Sequence, residues 1–146
     1  MNIAFPDNYA MVIFAVGPAT FLATQFMGGP VMKARKRLNV PYPNLYATPG
    51  HHKHADEFNR VQRGAQSIFE SLSPMQAMTV FGGLVYPRFA AAGYLTYLAG
   101  SFLYAKGYAN MNHDVKNARY KDGGFLKPLG MVAVFGAACA TCWGMM

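Results

Sequence analysis

The residues able to do chemistry are few and gathered in three places. Arg60, Arg63, Gln66 and Glu70 come first. Spacings of three and four put Arg63, Gln66 and Glu70 on one stripe of a helix. Glu70 lies at the edge of a long uncharged run, where an ionisable group is costly and has a partner as a rule. An interhelical ion pair meets that need, and so does a polar pocket for a small zwitterionic or anionic ligand. Tyr104 and Tyr108, four apart, form the second group, with Tyr94 and Tyr97 upstream. Such tyrosines anchor a helix at a membrane interface, or donate from a bundle interior to a ligand sulfur or carboxylate. The third group is Lys33, Arg35, Lys36 and Arg37. It can hold lipid headgroups or point one or two cations at an anion between helices.

Two other patterns carry less. His51, His52 and His54, with His113 further on, resemble a metal cluster. No cysteine or carboxylate spacing of a zinc site accompanies them, so no metal is expected. Cys139 and Cys142 fit a C-x-x-C motif, but within an apolar helix rather than a βαβ unit, where small residues pack helices together.

The elements that must position these groups are apolar. Hydrophobic residues make up 53% of the 146, and charged residues only 13%, about half the roughly 25% of soluble domains. Between Asp7 and Lys33 stand 25 uncharged residues, and further uncharged runs cover 71–87, 89–105 and 128–146. A helix needs about 20 mostly apolar residues to cross a hydrocarbon core. A soluble bundle would alternate an apolar stripe with a charged face, and residues 128–146 have no polar face. The expected fold is an all-α membrane protein, a single-domain four-transmembrane-helix bundle over residues 1–146. Its helices are expected at about 8–33, 59–86, 88–110 and 126–145. Asn59 to Gln66 should project into the headgroup or aqueous layer. The N-terminal stretch MNIAFPDNYAMVIF lacks the basic region and cleavage site of a secretory signal, so the first apolar run reads as a retained helix.

Twelve of the thirteen basic residues flank two loops, one between helices one and two and one between helices three and four; Arg88 alone lies on the other face. The positive-inside rule puts both loops on the cytoplasmic side or its equivalent. The net charge of +7 therefore belongs to a membrane-surface band facing lipid. With no stacking platform or groove-reading helix, nucleic acid is not an expected partner.

Several of these segments resemble the MAPEG superfamily, nearest its microsomal glutathione transferase type 3 branch. They are the basic end of helix one at 31–40 with Pro41-Tyr-Pro-Asn-Leu-Tyr46, and the helix-two run from Phe58 to Glu70. Gly82-Gly-Leu-Val-Tyr-Pro-Arg88 and Leu103-Tyr-Ala-Lys-Gly-Tyr108 complete the likeness. The resemblance implies a homotrimer in the endoplasmic reticulum or a mitochondrial membrane. It implies glutathione as co-substrate, bound between helices of neighbouring subunits. Its thiolate would attack lipophilic electrophiles or reduce lipid hydroperoxides. Glutathione's carboxylates need cations and its amino group a carboxylate; its thiol, ordinarily with a pKa of about 8.5, needs a nearby positive charge to ionise. Carried over by position, Arg35, Lys36, Arg63, Gln66, Ser67, Glu70, Tyr104 and Tyr108 form the glutathione site.

The pattern is broken in places. Ser67 stands where the family has asparagine, and Ala65 replaces a polar residue. Ser71 replaces a residue that is often aromatic, and Ser101 stands where an arginine commonly precedes the tyrosine pair. The thiol-activating arginine belongs about seven residues after Tyr108, at Val115; Lys116 and Arg119 are the nearby cations. Two functions follow. The chain is a glutathione transferase or peroxidase using Lys116 or Arg119, or it keeps the fold without catalysis, as an accessory subunit among heterologous membrane partners.

Overall fold

The computed structural model describes residues 5–146; residues 1–4, where the N-terminal stretch begins, lie outside the described residues. Helices account for the architecture, and no strand occurs among the described residues. Five α-helices follow in order: α1 Ala10–Phe14, α2 Thr20–Arg37, α3 Ala55–Gly82, α4 Pro87–Ala109 and α5 Leu126–Gly144. A π-helical turn, Ala15–Ala19, joins α1 to α2, and a 3-10 turn, Ala118–Gly123, precedes α5. Pro18 causes the π-turn, because its ring cannot fit the preceding turn and it supplies no N–H. The helical path nevertheless continues from Ala10 to Arg37.

These bounds depart from the expected ones by about a turn. The first helical stretch runs on to Arg37, so the basic cluster occupies its last turn, where cations suit the negative end of the helix dipole. The helix of Arg63 begins at Ala55 and has Asp56 and Glu57 in its first turn, where anions suit the positive end. It stops at Gly82, with Gly83 as cap. Pro87 opens α4 at its first position, where its missing N–H costs nothing.

Two stretches, Ala10–Arg37 and Leu126–Gly144, are long and apolar enough to cross a membrane. The other two long helices, α3 and α4, have the length without the hydropathy. Charged and amide side chains fill the first half of α3, and glycine, alanine and tyrosine dilute α4. Large apolar side chains such as Phe21, Phe26, Val132 and Trp143 point outward.

α4 packs against every other helix. Its inner face carries Tyr94 and Tyr97, both fully buried, in a core with Val12, Met27, Ile68, Met75 and Val134. The Tyr94 hydroxyl shares a hydrogen bond of 2.8 Å with Thr20. That of Tyr97 donates to the Ile68 carbonyl at 3.0 Å and lies 2.9 Å from the Ser71 hydroxyl. These two tyrosines are core residues rather than interface anchors, and their polar ends are satisfied inside the bundle.

The α4–α5 contact is backbone on backbone. A Cβ on Gly130 would collide with the Tyr97 backbone and come 2.7 Å from the Gly93 carbonyl; one on Gly100 would collide with the backbone of Leu126 and Lys127. Gly136, on the same helix as Gly130, faces open space. Overpacking a filled core costs about 1–3 kcal/mol, and more where backbone must move. Gly130→Leu is therefore expected to lower the melting temperature of the detergent-solubilised protein by several degrees or prevent folding, and Gly136→Leu to leave it unchanged.

Candidate functional site

α3 carries the polar stripe to the end of the bundle where the two basic loops lie. Arg63 and Glu70, two turns apart on one face, form an ion pair at 2.5 Å, with their side chains 44% and 47% exposed. Gln66, between them, accepts a hydrogen bond of 2.5 Å from Tyr46 of the first loop. A cleft of about 490 Å³ opens beside the stripe, lined by Tyr46, Asn59, Arg63, Tyr108 and Val115 among others. Asp56 is the only carboxylate among the described residues that line it.

The tyrosine pair closes one side of this region. Tyr104 and Tyr108 stack with ring centroids 6.3 Å apart. The Arg119 guanidinium lies 5.7 Å from the Tyr108 ring centre, and its Nε is buried with no hydrogen-bond partner. At the other ring, the Lys127 ammonium lies 4.7 Å from the centre of Tyr104. Lys127 sits in the first turn of α5 and is buried; its Nζ donates to the Ser67 carbonyl at 2.8 Å and the Ser67 hydroxyl at 3.2 Å. Cations over aromatic faces are each worth roughly 0.5–2 kcal/mol, according to how far they are desolvated. The stack is thus held by a cation at each ring.

Of the residues singled out in the sequence, the structure brings Arg63, Gln66 and Glu70 onto one stripe. It sets Ser67 on the buried side of the same helix, against Lys127. Tyr104, Tyr108 and Arg119 meet at the end of α4. Lys116 is exposed, whereas Arg119, three residues on, is half-buried. Lys36 is exposed in the last turn of α2. Arg35 takes another direction: it is 9% exposed. Its Nη1 donates to the carbonyls of Val40 and Asn44, at 3.2 and 2.7 Å. The guanidinium also lies 4.6 Å from the Tyr42 ring centre and 4.9 Å from that of Phe58. This arginine orders the first loop.

Arg60 has a comparable structural task. Its Nε donates to the Tyr108 carbonyl at 2.7 Å, and its Nη2 to the carbonyls of Asn110 and His113. It therefore caps the C-terminus of α4, where carbonyls lack helical partners. His113 pairs with Asp122 at 3.1 Å, and His51 meets His52 edge to face. Cys139 and Cys142 are free thiols exposed on α5.

Lys127 is the residue that the sequence reading missed, since it was counted with the loop charges. A signal was available: it immediately precedes the last apolar run, so the first turn of that helix must carry it towards the bundle or the lipid.

The fold and cleft define a helical protein with two stretches apolar enough to span a membrane and a polar site at the end of the bundle where the basic loops lie. Residues 13–143 match the MAPEG family, and the chain belongs to that family. The family is membrane-associated, includes glutathione transferases and related proteins, and its members use glutathione.

Removing a buried arginine that satisfies several carbonyls leaves acceptors unpaired, at about 1–3 kcal/mol for each such group. Arg60→Ala is expected to lower the melting temperature by several degrees. Lys116→Ala, which removes an exposed side chain, should change stability by no more than about 0.5 kcal/mol. Thermal melts of the two variants in one detergent check both.

Proposed function

We propose that the chain is a four-span membrane glutathione transferase or peroxidase, acting as a homotrimer in the endoplasmic reticulum or a mitochondrial membrane. The observation that carries this reading is the exposed Arg63–Glu70 pair, whose arginine lines the cleft together with Tyr108 of the tyrosine stack. Its two members have the charges that a zwitterionic tripeptide needs. A glutathione carboxylate would take Arg63 in the bidentate manner suited to guanidinium, and the α-ammonium would take Glu70. The exposed pair is worth no more than about 1 kcal/mol, so a ligand with matching charges can replace it. Gln66 supplies a neutral polar contact, and Ser67 fixes the turn behind it. Lys36, exposed and without an ion-pair partner among the described residues, meets the second carboxylate. Arg35 keeps the loop in place.

Arg119 stabilises the thiolate, with Tyr104 and Tyr108 as donors to sulfur. This assignment rests on its place over Tyr108 and its unpartnered buried Nε; Lys116 points to solvent. The glutathione thiol loses its proton to water, and the thiolate attacks a lipophilic electrophile. A sulfur–carbon bond forms as the leaving group departs with its electron pair. With a lipid hydroperoxide, the thiolate attacks the terminal oxygen, and a sulfur–oxygen bond forms as the O–O bond breaks. The alkoxide takes a proton from water and leaves as the alcohol, and the sulfur becomes a sulfenic acid. A second glutathione then converts the sulfenic acid to disulfide and water. The lipid substrate reaches the site from the bilayer.

Calorimetric titration of the purified protein with glutathione tests the clamp. Wild type is expected to bind, and Arg63→Ala at least tenfold more weakly. Absence of binding at millimolar glutathione would overturn the enzyme reading. The chain would then be an accessory subunit of a larger membrane assembly, recognisable by co-purifying heterologous subunits.

A further inference from the structure

Lys127 has no task in the clamp just described. Its residue is 7% exposed, and its ammonium meets the Ser67 carbonyl, the Ser67 hydroxyl and the Tyr104 ring. No carboxylate pairs with it among the described residues, and Glu70, one turn beyond Ser67, is closed on Arg63. A buried charge without a counter-ion is expensive, and inside a membrane protein it marks function by default. A fold that only needed to fill this space would use methionine or leucine, since replacing buried charges with apolar groups of like volume is often neutral or stabilising.

The charges around the tyrosines do not cancel. Arg63 and Glu70 neutralise each other, whereas Lys127 and Arg119 have no carboxylate within ion-pair distance among the described residues. One flanks Tyr104 and the other Tyr108, so the stack lies in a standing positive potential. A low-dielectric surrounding strengthens that potential relative to water.

We propose that Lys127 is a positioning residue for anion binding. It fixes the Tyr104 ring and the Ser67 turn, and holds the uncompensated positive charge that draws an anionic ligand to the cleft before Arg63 gives up Glu70. The proposal rests on the glutathione clamp for its ligand, but its electrostatic part holds for any small anion. Because Lys127 is buried, it acts through Tyr104 and its field rather than by touching the ligand.

The test uses the full chain in detergent as wild type, Lys127→Met and Lys127→Arg, with Lys127→Gln in place of the methionine variant if that does not fold. Each is titrated with glutathione by calorimetry, then melted in chloride and in sulfate at matched ionic strength. The methionine variant is expected to bind glutathione at least tenfold more weakly, or about 1.4 kcal/mol. Its ligand-free melting temperature should be equal or higher, and Lys127→Arg should recover part of the affinity. Sulfate should raise the melting temperature of wild type more than that of Lys127→Met. Equal sulfate responses in wild type and the methionine variant would overturn the proposal, as would unchanged glutathione affinity in a less stable variant. If wild type itself fails to bind glutathione, the Arg63–Glu70 clamp is ruled out, and the sulfate difference alone decides the role of Lys127.

Discussion

The first turn of α5 lies directly on α4 because Gly100 and Gly130 present no side chain to the opposing backbone. That approach sets Lys127 where α3, α4 and α5 meet, and its ammonium reaches Ser67 of α3. A single long side chain on α5 thus touches both α3 and α4 at the level of the tyrosine pair. Without the glycines the helices would separate, and the ammonium would lose its acceptors. The buried Tyr97 is locked in the same region by Ile68 and Ser71, so the inner face of α4 is fixed along two turns.

The outer end of the site is organised by arginines that serve the backbone. Arg60 caps α4 and anchors the chain leading towards Arg119. Arg35 gathers the first loop, which brings Tyr46 to Gln66. Charge is therefore divided by burial. Half-buried or buried arginines satisfy carbonyls and aromatic faces, while the exposed Arg63 and Glu70 pair with each other. An exposed pair of this kind is weak, which is what the proposed clamp requires.

Much of this was legible in the residues. The expected bounds of the long helices lie within about a turn of those found, and the three-and-four spacing of Arg63, Gln66 and Glu70 puts them on one stripe. The errors at helix ends have local causes: α2 runs on past its uncharged stretch through the basic residues to Arg37, and α3 stops at Gly82 with Gly83 as its cap. The task of Arg35 could not be read, because its acceptors are the carbonyls of Val40 and Asn44, and every residue has a carbonyl. Lys127 was hidden for a related reason: its acceptors belong to Ser67, sixty residues away, and only the fold brings them together. Nor could spacing choose between Lys116 and Arg119, since the 3-10 turn at Ala118–Gly123 decides which one faces Tyr108.

The central claim is that positive charge at the tyrosine stack ionises a bound thiol. Its most direct test is the ultraviolet thiolate absorbance of glutathione added to the purified protein, compared among wild type, Arg119→Ala and Lys116→Ala. A thiolate signal at neutral pH in wild type and in Lys116→Ala, lost in Arg119→Ala, is the predicted result. A wild type that binds glutathione without ionising it, or a signal indifferent to Arg119, would contradict the account.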